Sequence, residues 1–185
     1  MKTINWDDAY SSGRDYVYLS RQEIDKILSY LQKDLTNAKA LDLGCGTGQL
    51  TRELYHQGFN KVVGIDGSEE AISLAKAATI FPVEYIVGDI EQDFTSTITD
   101  TFELIICKDT FAFIGNKNLL LRRIKDLLTE NGLFVLVSPL RSEFSDRPHI
   151  TVDTDETKSL LQNNFDFIDY FTINKEEFYI LKKLT

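Results

Sequence analysis

The chain has little cysteine, little proline and no long apolar run. Its two cysteines, Cys45 and Cys107, are far apart and form neither a CxxC pair nor a metal-ligand spacing. A cysteine-based metal centre and a disulfide framework are therefore not expected, and a reducing compartment such as the cytoplasm is the default. Three prolines, at 82, 139 and 148, each sit beside an apolar run, so they punctuate local structure and form no linker. No apolar stretch approaches the roughly 18–20 residues that span a bilayer. The opening Met1-Lys2-Thr3-Ile4-Asn5-Trp6-Asp7-Asp8 has no apolar core of the kind a secretory signal shows. Basic charge is also short: 20 lysines and arginines against 29 acidic residues give a formal charge of -9. That balance opposes nucleic-acid binding, which needs cations to displace counterions from phosphates, although a local basic patch stays open. No internal repeat or low-complexity tract is visible.

What is present is a globular pattern. The 185 residues, 43% of them hydrophobic and 11% aromatic, suit one domain with a sizeable core. Ile24, Ile27, Leu28, Leu31 and Leu35 follow helical spacing after a capping Ser20. A buried strand is expected near 40–43, a turn over 44–48 and a helix over 49–57 that ends at Gly58. The unit repeats, with a strand at 61–65, a turn at Asp66-Gly67, and a helix capped by Ser68 running to about Ala78. Further strands are expected at 83–87 and 102–107. A helix face at Leu120, Ile124, Leu127 and Leu128 is expected to stop at Asn131-Gly132, before a fifth strand at 133–137. Polar residues 91–101 leave room for one helical turn or none. This alternation predicts an α/β fold, doubly wound, with a mostly parallel sheet and helices on both faces. The tail predicts a helix over 154–163, then strands at 165–172 and 178–182. Five residues join those two strands, too few for a parallel crossover, so the last strand is antiparallel.

In an open parallel sheet the ligand lies at the carboxyl ends of the strands. The first strand ends in Ala40-Leu41-Asp42-Leu43-Gly44-Cys45-Gly46-Thr47-Gly48. Glycines at 44, 46 and 48 let backbone approach a ligand closely. A dinucleotide GxGxxG would need glycine at 49, and that residue is Gln49. Asp42 stands in an apolar strand, where a buried carboxylate needs a partner. A ligand ammonium, or water held by it, is one candidate partner.

Asp42-x-Gly44-x-Gly46-x-Gly48 resembles the first motif of the class I S-adenosylmethionine-dependent methyltransferases. Asp66, in Val63-Gly64-Ile65-Asp66-Gly67-Ser68, is similar to the acid that holds both ribose hydroxyls. Asp89, in Val87-Gly88-Asp89-Ile90, is similar to the acid that reads the adenine amino group. The resemblance spans 38–185, with its specific motifs within 40–115, and implies a seven-stranded sheet with an antiparallel C-terminal strand. It implies S-adenosyl-L-methionine as cofactor and S-adenosyl-L-homocysteine as product. The implied cofactor contacts are Asp42, Gly44, Cys45, Gly46, Gly48, Asp66, Gly67, Ser68, Asp89, Ile90 and Lys108. Cys45 is read as a small backbone-contact residue and not as a nucleophile. Residues 1–37 form an N-terminal segment and helix, and 38–185 the methyltransferase domain, within one structural domain. In many relatives such a segment is a lid, from which Tyr10 and Arg14 reach the cofactor carboxylate. Packing on the outer surface is the competing reading.

The acceptor side is less legible. The loop Cys107-Lys108-Asp109-Thr110-Phe111-Ala112-Phe113-Ile114 follows a central strand and must face the methyl group. It lacks the Asp/Asn-Pro-Pro-Tyr run of nucleobase amine methyltransferases and the Pro-Cys nucleophile of cytosine C5 enzymes. Asp109 is a candidate base or orienting group, or a simple turn cap. Phe111 and Phe113 wall the site or fill the core. In the loop 138–153, Arg141 and Arg147 suit a carboxylate, and His149 has the ordinary titration range of a general base. The other histidine, His56, sits late in the first crossover helix and is read as structural. With no inserted substrate domain, the expected activity is methyl transfer to a small molecule. A protein or RNA acceptor, or cofactor binding without catalysis, are the alternatives. No metal or membrane partner is expected, and the oligomeric state is open.

Overall fold

The computed structural model describes residues 5–13, 18–31, 33–92, 94 and 97–184. Arg14 lies outside the described residues. The strands form one seven-stranded sheet in the order β3-β2-β1-β4-β5-β7-β6. They are β1 (Lys39–Leu43), β2 (Lys61–Asp66), β3 (Glu84–Val87), β4 (Phe102–Lys108), β5 (Leu128–Pro139), β6 (Phe165–Ile173) and β7 (Glu176–Lys183). The first five pair in parallel, while β7 runs antiparallel to both its neighbours, β5 and β6. Strand order reverses between β1 and β4, which opens a crevice at their carboxyl ends.

The helices are α1 (Trp6–Ser11), α2 (Arg21–Leu28), α3 (Gln49–His56), α4 (Glu69–Ala77), α5 (Lys117–Leu127) and α6 (Thr154–Gln162). Two cores result, one on each face of the sheet. Leu120, Leu121 and Ile124 of α5 and Leu161 of α6 pack on Leu41, Ile105, Leu136 and Tyr179. On the other face Ile24 and Ile27 of α2 and Leu54 of α3 pack on Ala40, Ile106, Val135 and Phe178. Alternate residues of each central strand thus serve both cores, and these strands read as nearly continuous apolar runs. The β6–β7 turn places Asn174 and Lys175 at φ 50° and 71°. Positive φ at both central residues matches the right-handed twist of a two-residue hairpin.

Several boundaries differ from the sequence reading, among them the start of β7, which begins at Glu176 and not at 178. The Ser20 helix has its full capping box, in which the Glu23 carboxylate accepts from the Ser20 N–H at 2.6 Å. It nevertheless ends at Leu28, short of Leu35. Asp34 caps a separate 3-10 turn, Leu35–Asn37, and Leu31 and Leu35 still pack on the same core. Apolar spacing identified the buried face but not the break in it. Asn131-Gly132 likewise does not stop a helix. Leu128 is already extended and pairs with Phe102, so these residues lie inside β5 next to a register shift. A Cβ at Gly132 would stand 2.8 Å from the Phe102 carbonyl, so glycine permits that close approach.

Candidate active site

The turn from β1 into α3 holds Gly44, Gly46 and Gly48 at φ 75°, 52° and 76°, the left-handed region that glycine alone enters without strain. Each is also closely approached. A Cβ on Gly44 would stand 2.1 Å from Thr110 Oγ1, on Gly46 2.7 Å from Tyr10 Oη, and on Gly48 2.4 Å from Tyr85 Oη. The Gly44 and Cys45 N–H groups both donate to the Ile65 carbonyl, at 2.8 and 3.0 Å, which fixes the loop against β2.

Asp66, at the end of β2, joins this loop to α4. Its Oδ2 accepts from the Gly46 N–H at 2.9 Å and its Oδ1 from the Ser68 N–H at 2.9 Å. Burial raises its pKa, against the pull of those backbone donors. Ser68 caps α4 by accepting from the Ala71 N–H. Asp42 is buried, and its partner is a protein group where the sequence suggested a ligand. Thr51 Oγ1 of α3 donates to its Oδ2 at 2.7 Å. Burial still pushes the Asp42 carboxyl up to about 7. The Cys45 thiol is buried and raised by burial first, then by Asp42 and Asp66, which opposes nucleophilic use. Cys107 is likewise buried and raised. Asp89 is exposed beyond β3 and accepts from the Glu91 N–H at 2.8 Å, while Ile90 turns into the core.

Helix α1 lies against this edge. Tyr10 is buried over Gly46, Trp6 meets Phe113 edge-to-face at 4.9 Å, and Asp7 Oδ1 accepts from Ser68 Oγ at 2.5 Å and from the Glu70 N–H at 3.2 Å. Asp7 thus sits at the start of α4, where a negative charge is favourable. Its pKa is lowered, first by the Ser68 hydroxyl.

The acceptor-side residues of the sequence reading are not all brought together. Lys108, expected at the cofactor, is nearly buried and paired with Asp109, and it stands 3.7 Å from Glu176. Asp109 takes φ 54°, which aspartate tolerates, and its N–H donates to the Val137 carbonyl at 3.0 Å. Asp109 and Glu176 are both held above the ordinary carboxylate range, by burial first, with Lys108 opposing. His149 is exposed, in a 3-10 turn packed on the Phe111–Phe113 turn. Arg141 is tied to Asp153 at 3.0 Å and Arg147 to Asp146 at 3.6 Å. His56 faces away from this edge, in a shallow cleft of about 450 Å³ with Tyr55 and Phe59. No helix among the described residues is long and apolar enough to cross a membrane.

Sequence reasoning missed Thr51, Asp7, Glu176 and Glu177. Thr51 was findable, since one helical turn of α3 separates it from the glycine loop. The two glutamates read as loop because they precede the apolar run Phe178–Leu181.

A glycine turn at a topological switch point, with acids ending β1 and β2 and an antiparallel β7, defines a class I methyltransferase fold. A family model described as a methyltransferase domain matches residues 34–181, and the chain belongs to that family. It is 29% identical over 125 residues to the malonyl-(acyl-carrier protein) O-methyltransferase of Bacillus cytotoxicus, covering 65% of this chain and 43% of that protein. The chain spans under half the length of the first curated relatives it matches. A TehB-like SAM-dependent methyltransferase from Corynebacterium glutamicum superposes with TM-score 0.69 at 20% identity, covering 97% of this chain and 94% of that one. The plantazolicin methyltransferase, solved with a monoazolic desmethyl analogue and S-adenosylhomocysteine, superposes with TM-score 0.72 at 18% identity, covering 86% and 80%.

Proposed function

We propose that the chain binds S-adenosylmethionine along the carboxyl ends of β1, β2 and β3 and transfers its methyl group to a small acceptor. The observation that carries this reading is Asp66. It is anchored by two backbone N–H groups, one from the glycine turn and one from the start of α4. Each of its oxygens keeps a lone pair for a further donor, as a ribose diol would supply. The bare backbone of Gly44–Gly48 suits the amino-acid part of the cofactor, and Asp89 with Ile90 suits the adenine edge and face. Held by Asp66, the glycine turn and Asp89, the cofactor would supply an activated sulfonium methyl for displacement by the acceptor's lone pair, with the bond electrons returning to sulfur. The protein's task is then placement and exclusion of water.

Helix α1 acts as a lid in this reading. Tyr10 and Trp6 cover the loop, and Asp7 latches the helix to Ser68. Asp109 is the group positioned to orient the acceptor or take its proton, and the exposed His149 is a weaker candidate for that task. The plantazolicin enzyme, solved with a desmethyl analogue, supports a small acceptor. Calorimetry with S-adenosylmethionine and S-adenosylhomocysteine tests the cofactor assignment. Wild type is expected to bind both, and Asp66→Ala to lose at least about tenfold in affinity, as for a hydrogen bond to a charged group. No binding at millimolar cofactor sinks the reading. Unchanged affinity in Asp66→Ala removes the ribose assignment.

A further inference from the structure

Glu176 and Glu177 are consecutive on β7, so their side chains leave opposite faces of the sheet. On the α2–α3 face Glu176 is met by the Lys108 ammonium. On the α5–α6 face Glu177 is fully buried, and no ion pair reaches it among the described residues. Its Oε2 accepts from Thr154 Oγ1 at 2.9 Å and Tyr170 Oη at 3.1 Å, both neutral donors. Its Oε1 has no partner. Lys158 is held over the Tyr170 ring at 3.4 Å from its centre.

Two other buried oxygens adjoin it on this face: Ser138 Oγ, which has no partner, and Tyr179 Oη, which faces the Glu177 carboxylate without an aligned hydrogen bond. Ser138 is the register partner of Glu177 across the β5–β7 ladder, and Tyr179 lies two residues along β7 with its side chain on the same face. Ser138 also lies at the carboxyl end of β5, on the edge that holds Asp109, one residue before the terminal Pro139 and the 140–153 loop. A buried carboxylate with no cation and one oxygen lacking an aligned donor is costly, and the adjoining hydroxyls do not complete it. One chemistry satisfies all three. An ammonium offers three donors, and carboxylate and hydroxyl oxygens both accept.

Resting on the methyltransferase reading above, we propose that Glu177, with Ser138 and Tyr179, forms a subsite for a protonated amino group of the acceptor, and that Glu177 selects amines over carboxylates and alcohols. The subsite recognises the acceptor; the atom that receives the methyl group is a separate matter.

The test uses wild type, Glu177→Gln and Ser138→Ala. Each is saturated with S-adenosylhomocysteine and titrated with small primary amines and with alcohols and carboxylates of equal size. Amines are expected to bind wild type in preference. Their affinity should fall about 10- to 100-fold in Glu177→Gln, with a smaller loss in Ser138→Ala. S-adenosylhomocysteine affinity should not move. Without ligand, Glu177→Gln should melt at a higher temperature, since it removes a buried charge and keeps the shape. A lower melting temperature makes Glu177 a structural hydrogen-bonding centre and overturns the proposal. Preference for carboxylates, indifference to charge, or no amine binding to the saturated protein overturns it equally. Failure to bind S-adenosylhomocysteine instead defeats the cofactor reading, and the melting comparison then still decides whether Glu177 is an uncompensated charge.

Discussion

The carboxyl ends of β1 and β2 carry Asp42 and Asp66, and protein donors answer both: Thr51 for the first, the Gly46 and Ser68 backbone for the second. The edge built by β4, β5 and β7 is different. Among the described residues, the buried side-chain atoms without a hydrogen-bond partner belong to Asp109, Ser138, Glu176, Glu177 and Tyr179, all on or beside these three strands. One half of the crevice is complete by itself; in the other, Asp109 and Glu176 have only each other and Lys108, and Glu177 has no cation among the described residues. A cofactor site built largely from backbone and fixed acids can be preorganised within one chain. On the proposed reading the second half is the acceptor side, and keeping polar atoms unanswered until a ligand arrives carries some cost in stability.

The largest expected effect breaks the acceptor half. Lys108→Met leaves Asp109 and Glu176 buried beside each other without their cation, and should cost about 3–5 kcal/mol in urea unfolding at pH 7. The loss should shrink as pH falls, because burial holds both carboxyls above the ordinary range and protonation removes the charge that Lys108 answers. A cost no larger than that of a surface substitution would show that this half is not held together by charge. Next in size, Gly44→Ala tests the cofactor half. It forces a side chain into a left-handed conformation and onto Thr110, and should cost about 1–3 kcal/mol from overpacking alone. Cofactor affinity should fall with it, and an unchanged affinity by calorimetry would detach the turn from the cofactor.

Asp42→Asn gives a smaller effect, visible as pH dependence. Burial raises the Asp42 pKa in the folded chain to about 7, against 3.8 for the free group. The folded state therefore holds the extra proton between those values, and this group lowers stability as pH rises from about 4 to about 7. Asparagine does not titrate, so the melting temperature of Asp42→Asn should decline less over that window than wild type. An equal decline would show that Asp42 is not the source. The smallest effect is at the exposed Asp7. Asp7→Ala should leave the melting temperature nearly unchanged but speed amide exchange in α1, since it removes the bonds to Ser68 and Glu70. Unaltered exchange would mean that Trp6 and Tyr10 alone hold the helix down.

Legibility in the sequence follows the same division. The strands around β1 were readable because both their faces are buried, which leaves short apolar runs bounded by turn residues. The glycine turn was readable because its conformation admits little else, and the positions of Asp66 and Asp89 because the first ends a recognisable strand and the second closely follows one. Leu28 as a helix end was not readable, since the apolar spacing continues past it to Leu31 and Leu35. Nor was the partner of Asp42, because a carboxylate in a strand announces a need without naming what meets it. On the acceptor side, Asp109 stands out as a residue type in a loop, but the buried cluster it forms with Lys108 and Glu176 exists only because β7 brings Glu176 alongside.

The sequence by itself determined the alternation of strands and helices, the antiparallel tail, and the acid–glycine pattern, because these rest on local conformation and on spacing along one element. Tertiary structure alone decided that Glu176 and Glu177 enter different environments. Their separation follows from the pleat, but the meaning of each side comes from elements distant in the chain: Lys108 from β4 on one face, Ser138, Thr154 and Tyr170 on the other. Whether a charge is answered is a property of the packed neighbourhood, and nothing in the order Glu-Glu-Phe-Tyr distinguishes the glutamate that has its cation from the one that does not.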